Sequence, residues 1–300
     1  MVARRYYIDD KQKNEIAEEF GISRFKVARL LDEAKSSGIV RIYVDMPSEI
    51  DLPLGEEVAK RFGIHRVIAV RAFDDDPDVI ASASGSAAAQ YLSSILGPGD
   101  ILGISWGRSL TYAVDAVSEP SSTDIVQLVG GLRAGELDIS GVELVRRLSE
   151  KTGGRAFPLH APLMVSTAAM ASALREDPSL GEAIGRFASL TVAAVGIGSW
   201  NPPKSALFSE FTSEERDDLI SLGAAADVCA FVLDSDGNPI VSDALERAIG
   251  ITVDELRRVP EVIAIAGGHQ KIDAITAALK SGIVNTLITD STTATGLLDA

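Results

Sequence analysis

Between residues 66 and 298 the chain repeats one pattern: a short apolar run, then a stretch with helical spacing. The runs are RVIAV (66–70), DILGIS (100–105), DIVQLV (124–129), RAFPL (155–159), LTVAAVGI (190–197), DVCAFVL (227–233), VIAIA (262–266) and TLIT (286–289). Residues 79–96, 108–117, 142–150, 167–174, 214–222, 253–258, 271–280 and 294–298 read as helices between or after them. A strand that is apolar throughout is buried on both faces. Such strands alternating with helices dictate an α/β fold with a mostly parallel sheet covered on both sides. A hydrophobic share of 46% in 300 residues is enough to fill that core.

In sheets of this kind a ligand binds beyond the carboxyl ends of the strands. Four runs end there in glycine: Gly103–Ser109 (GISWGRS), Gly130–Arg133 (GGLR), Gly196–Ser199 (GIGS) and Gly267–Lys271 (GGHQK). Small residues let backbone amides approach an anion, and the following helix presents its positive end. Gly103, Ser105, Trp106, Gly107, Arg108, Ser109, Gly130, Gly131, Gly196, Gly198 and Lys271 are therefore the candidate ligand contacts. Turn chemistry alone accounts for any one such loop. Four at one edge, with Arg108 and Lys271 in an otherwise acidic region, point to an anionic ligand, for which a sugar phosphate is a natural choice. Trp106 offers a face to a sugar ring, although packing is the plainer role for one tryptophan. The competing reading makes surface ion pairs of Arg108 with Asp115 and of Lys271 with Asp273.

The N-terminal stretch breaks the pattern. Asn14–Val44 reads as two short amphipathic helices meeting at Gly21, with Ser23 as N-cap of the second. Val27, Leu30, Leu31 and Ala34 form the apolar stripe of that second helix, and Arg24, Lys26 and Arg29 its exposed side. This is the plan of a helix-turn-helix, whose second helix enters the major groove of duplex DNA by its N-terminal end. Ser23, Arg24, Lys26 and Arg29 are the candidate DNA contacts. Residues 2–9 supply a preceding helix, and Ile39–Val44 a strand that would serve as a wing. The expected organisation is a winged helix-turn-helix over 1–44, a linker over 45–54 and a ligand-binding domain over 55–300. Charge supports the division: residues 1–44 hold nine Lys/Arg and seven Asp/Glu, a net +2, and the remainder 19 and 36, a net −17. Only the first part is suited to approach phosphates.

The lone Cys229 excludes a disulfide within the chain and fits a reducing cytoplasm. His65, His160 and His269 are scattered without ligand spacing, so neither a metal nor another cofactor is expected. No signal-peptide core or membrane-spanning run is present.

Several segments together resemble the SorC family of bacterial sugar-responsive transcriptional regulators over nearly the whole chain. They are EIAEEFGISRFKVARLLDEAKSSGIV, GISWGRSL, QLVGG, VGIGS and AGGHQKIDAITAALKSGIVNTLITDSTTATGLL. The resemblance implies an N-terminal winged helix-turn-helix and an effector domain similar in fold to sugar-phosphate isomerases and deaminases. It implies a sugar-phosphate or sugar effector, and a homodimer or homotetramer on a palindromic operator. It also implies repression of a carbohydrate-catabolism operon, relieved by inducer. It maps a phosphate cradle onto Ser105, Gly107, Arg108 and Ser109, a helix-proximal lysine onto Lys271, and adds Asp290 after the last strand. The chain departs from the pattern at WNPPKSALFS (200–209), where the cation is Lys204, and at RAGELDISG (133–141). In the deaminase-like enzymes the GIG loop continues with an acidic residue, glycine and histidine; here it continues Ser199–Trp200–Asn201–Pro202. The expected base is missing, so no catalytic residue is assigned. The alternative is an isomerase- or deaminase-type enzyme carrying a regulatory N-terminal module.

Overall fold

The computed structural model describes residues 1–37, 39–40, 49–119, 121–132 and 140–300. The chain forms two compact units, Met1–Pro47 and Ser48–Ala300. The wing strand expected over Ile39–Val44 lies, from residue 41 on, outside the described residues, as do 45–48 of the expected linker and 133–139 of the divergent segment.

The first unit contains three helices: α1 (Val2–Tyr7), α2 (Lys13–Phe20) and α3 (Arg24–Ser36). Ile16, Val27 and Leu31 are its buried centre, with Val2, Tyr6, Phe20 and Ile22 packed around them. Gly21 ends α2 at φ 62°, a left-handed turn that glycine adopts without strain. Ser23 then caps α3, its hydroxyl accepting from the Lys26 amide at 3.2 Å. Arg5 and Lys11 both reach Glu19, tying α1 and the following loop to α2.

The second unit opens with α4 (Leu52–Phe62), so Leu52–Leu54 belong to a helix and not to the expected linker. Asp51 accepts from the Leu54 amide at 3.2 Å, and Pro53 fits the first turn, where no backbone donor is needed. The proline that suggested a linker is thus a helix start. The strands are β1 (Arg66–Val70), β2 (Ile101–Ile104), β3 (Asp124–Gln127), β4 (Ala156–Phe157), β5 (Val192–Val195), β6 (Ile197–Ser199), β7 (Ala224–Val228), β8 (Phe231–Asp234), β9 (Glu261–Ile265) and β10 (Thr286–Asp290). The remaining helices are α5 (Pro77–Ile95), α6 (Arg108–Ala116), α7 (Gly141–Thr152), α8 (Ala168–Glu176), α9 (Gly181–Ile184), α10 (Ala206–Ser209), α11 (Ser213–Ser221), α12 (Val253–Leu256), α13 (Ile272–Lys280) and α14 (Ser291–Asp299).

Seven strands form one sheet in the order β1-β10-β9-β5-β2-β3-β4, every pair parallel. Both faces are buried, as the apolar runs require. Along β5, Val192 and Ala194 join one core while Ala193 and Val195 join the other; β9 does the same with Ile263 and Ile265 against Val262 and Ala264. Residues of α5, α6 and α7 cover one face, and residues of α4, α13 and α14 contribute to the other.

Two apolar runs behave differently from a single strand. LTVAAVGI is divided at Gly196 into β5 and β6, which belong to different sheets. DVCAFVL, expected as one strand, lies within the antiparallel pair β7–β8, with Val228 opposite Phe231 and Cys229–Ala230 as the turn. Cys229 takes φ 55° there. The turn is buried, so it is built from apolar residues and carries none of the polar signals that mark exposed turns. Together β6, β7 and β8 make a small second sheet.

Candidate functional site

The strand order fixes where a ligand can enter. From β2 the chain winds outward through β3 and β4, returns to β5 on the other side of β2, and continues outward through β9 and β10. The direction of winding reverses between β2 and β5. At such a switch point the loops leaving two adjacent strands diverge and open a crevice at their carboxyl ends. The four glycine-bearing loops follow β9, β5, β2 and β3, four consecutive neighbours, so all lie at the same end of the sheet.

The candidate residues there divide by what their backbones touch. Gly103 is buried in β2, where an added Cβ would lie 2.5 Å from Leu128 Cδ2. Gly130 faces backbone, its hypothetical Cβ 2.4 Å from the Pro162 carbonyl oxygen, and Gly198 faces the Asp227 carboxylate at 2.3 Å. The Gly130 amide donates to Ile249 O and the Gly131 amide to Ala161 O, so neither is available to an anion. Gly103, Gly130 and Gly198 make room for protein. Gly196 donates its amide to Ser105 Oγ at 3.3 Å, which joins the ends of β5 and β2 across the switch point. Trp106 donates its indole N–H to Gly130 O at 3.1 Å and packs beside Gly141, tying the β2 loop to the β3 loop.

Gly107 and Gly268 are different: both take positive φ, 147° and 99°, and a Cβ on either would meet open space. Each precedes a helical start without a side-chain cap, at Arg108 and at His269. The first amides of α6 therefore have neither an intrahelical partner nor a cap. Ser109 lies in that first turn, partly buried. Arg108 is exposed and makes a loose ion pair with Asp78 at 3.4 Å, the counterpart expected at Asp115 being engaged by Arg147 instead.

Lys271 does not pair with Asp273 through any described ion pair; its ammonium donates to Ile197 O at 2.8 Å, at the start of β6. Burial holds this ammonium below the ordinary lysine range; the Asp227 carboxylate opposes that, and the nearby positive charges of Arg108 and Lys204 reinforce it. Arg108 and Lys204 thus both lie near enough to act on the Lys271 ammonium. Asp227, on β7, is fully buried and receives the Trp200 indole N–H at 3.0 Å. Burial pushes its carboxyl up to about 6 against hydrogen bonds from Ser205 and Trp200 and the charge of Lys271. Sequence reading noted Lys204 but missed Asp227, whose partners come from distant segments.

Asp290 is buried at the end of β10 and works beneath the loops. Its Oδ1 accepts from the Thr293 amide and its Oδ2 from the Gly268 amide, both at 2.8 Å, and Oδ2 also accepts from Thr293 Oγ1 at 2.6 Å. It caps α14 and anchors the Gly267–Gly268 loop. A separate cavity of about 850 Å³ is lined by Arg61, Gly63, His65, Thr276, Gly282 and Asn285, away from the four strand-end loops.

In the first unit Ser23, Arg24, Lys26 and Arg29 are all exposed, Ser23 with its oxygen committed to the cap. The three cations stand clear of the buried Val27–Leu31 stripe. Phe25, between Arg24 and Lys26, is exposed too and was not marked by the sequence reading. Among the described residues no cluster of His, Cys, Asp and Glu could hold a metal ion, and no helix is long and apolar enough to cross a membrane.

Comparison with known proteins agrees with this two-part architecture. Residues 47–299 match the family described as "Putative sugar-binding domain". The chain is 32% identical to the transcriptional regulator LsrR of Enterobacter sp. (strain 638), the match covering 99% of this chain and 91% of that protein. It is 29% identical to the deoxyribonucleoside regulator of Bacillus subtilis, over 99% and 96% of the two chains. The crystal structure of the full-length sorbitol operon regulator SorC from Klebsiella pneumoniae superposes with a TM-score of 0.77 at 27% identity, covering 99% of this chain and 97% of that one. A helix-turn-helix whose cations face outward and a parallel sheet with glycine-bearing loops at its switch point thus occur together in a chain that belongs to the SorC family of sugar-responsive transcriptional regulators.

Proposed function

We propose that this regulator represses a carbohydrate-catabolism operon and is controlled by a sugar phosphate bound at the switch point between β2 and β5. The observation that carries the reading is the convergence of Arg108, Lys204 and Lys271 beside the uncapped start of α6, in a unit that is otherwise acidic. A lysine that feels two further cations, next to amides without a helical partner, is stabilised by an anion, and a phosphoryl group satisfies both. Gly107 permits the close backbone approach. Ser105 and Trp106 hold the loop, the Gly131 and Gly196 amides are tied to Ala161 and Ser105, and Gly103, Gly130 and Gly198 let the surrounding strands and turns pack tightly enough to fix it. The exposed Asp78–Arg108 pair is of the weak kind that a phosphate readily displaces.

The chain acts in this reading by binding and not by turnover, because the segment Ser199–Pro202 supplies no acid–base pair. DNA binding falls to α3, with Arg24 reading a base edge and Lys26 and Arg29 neutralising phosphates. A homodimer or homotetramer places two such helices on the half-sites of a palindromic operator. The effector resets their spacing through its differential affinity for two arrangements. A panel of sugar phosphates screened by thermal shift identifies the best ligand, and calorimetric titration then compares wild type with Arg108→Ala and Lys271→Ala. Loss of a charged hydrogen bond lowers affinity by at least about tenfold in each variant, with operator binding retained. Equal affinity in all three proteins would remove both cations from the site.

A further inference from the structure

The side chain that DNA contact by α3 leaves unexplained is Phe25. It is 87% exposed, in the first turn of the helix. At about 3.6 residues per turn, Val27, Leu31 and Ala34 turn one side of α3 inward, and all three are buried. Phe25 and Arg29, four residues apart, lie on the side opposite that stripe, with Arg24 and Lys26 to either side of Phe25. The ring contributes nothing to the three-helix core and is a poorer helix former than the arginine or lysine beside it. A large apolar ring at the centre of a cationic face suits a surface that is charged around an apolar spot.

Resting on the assignment of α3 to the major groove, we propose that Phe25 is a specificity-determining residue whose ring packs on the 5-methyl group of a thymine in each half-site. Among the groups that base pairs display in the major groove, that methyl is the apolar one; the rest are hydrogen-bond donors and acceptors that a phenyl ring cannot satisfy. The flanking cations hold the helix end to the phosphate backbone, and Phe25 distinguishes A·T from G·C where it touches. Self-association through the same face fits poorly. A two-fold contact centred on Phe25 would set Arg24, Lys26 and Arg29 of one copy against the same three cations of the other.

The test uses the full-length protein without effector and duplexes that it selects from a randomised library. Each thymine of the selected half-site is replaced in turn by uracil, which removes only the methyl group. At one position per half-site the change weakens wild-type binding by about fourfold, the value of one buried methyl. Phe25→Ala binds thymine and uracil duplexes alike. It keeps the wild-type salt dependence, since no phosphate contact is lost, whereas Lys26→Ala lowers that slope. Its melting temperature stays that of wild type, because the ring is solvent-exposed. The inference is overturned if no thymine-to-uracil change affects wild type, if Phe25→Ala retains the discrimination, or if Phe25→Ala alters the oligomeric state. Failure of wild type to select any sequence would instead overturn the DNA assignment of α3 together with the role of Phe25. Selection that Arg24→Ala relaxes while Phe25→Ala leaves thymine discrimination intact would overturn only the role of Phe25.

Discussion

The loops after β2 and β3 look alike in sequence, SWGRS and VGGLR, yet they serve opposite ends. Gly107 faces open space with its helix uncapped, while Gly130 is pressed against the Pro162 backbone and gives its amide to Ile249. The same residue type is present for two reasons: at one position it takes a positive φ in open space, at the other it lets another segment's backbone come close. Gly268 belongs with Gly107, and Gly103 and Gly198 belong with Gly130. The difference teaches that a glycine-rich loop marks close approach, and that the neighbours decide what approaches.

The comparison breaks most visibly at Gly130→Ala. The added methyl would sit within 2.4–2.8 Å of Pro162 O, Pro162 C and Leu163 N, none of which can move without disturbing the bridge between Gly131 and Pro162. Overpacking against backbone costs about 3 kcal/mol. Urea unfolding of the full-length variant should show a lower midpoint of that size with an unchanged slope. A midpoint equal to wild type would mean that the β3 loop has as much freedom as the β2 loop.

Asp227→Asn sharpens the comparison from below, at the carboxylate under Gly198. In the folded chain the carboxyl titrates at about 6, against an ordinary 3.8. Between those values the folded chain holds a proton that the unfolded chain has released, so this group's contribution falls as pH rises through the window. Above about pH 6 the loss is complete and amounts to roughly 3 kcal/mol at most. Asparagine keeps an oxygen for the Trp200 indole and carries no charge. The variant should therefore gain stability over wild type above pH 6 and lose that advantage below pH 4. Urea midpoints at both pH values check this; a difference independent of pH would show that the carboxylate is not held under strain by its burial.

The architecture was legible because most of the strands are apolar on both faces and alternate with helices, a demand that a covered parallel sheet meets. The end of the sheet that carries the loops was equally legible, since parallel strands share their carboxyl edge. The hairpin at Cys229–Ala230 was hidden because a buried turn needs no polar residues, and α4 because Pro53 reads as a breaker until its position in the first turn is known. At the site, Arg108 and Lys271 stood out as cations beside glycines. The division of the glycines could not be read, since it depends on Pro162, Leu128 and Asp227, which come from other elements. The capping role of Asp290 could not be read, because a carboxylate at a strand end has the same sequence signature whether it faces a ligand or caps the next helix.

The smallest expected effect on stability is at Gly107→Ala, the counterpart of Gly130→Ala. No atom lies within 4 Å of the added Cβ, so packing does not oppose the change; the conformation does. At φ 147° and ψ 163° the backbone occupies a region that is nearly restricted to glycine, at a cost of about 1–3 kcal/mol for other residues. Because nothing clamps the loop at this position, it can relax toward an ordinary conformation and recover most of that cost. The melting temperature should fall by only a few degrees, well short of the change at Gly130. Relaxation, however, turns the first amides of α6 and the Arg108 side chain away from the anion they share. Calorimetric titration with the best sugar phosphate should therefore show a loss of affinity comparable to that of Arg108→Ala. Stability near wild type with affinity lost places Gly107 among the glycines that serve a ligand. Affinity retained at wild-type strength would move it to the group that serves packing, and with it the phosphate cradle away from the start of α6.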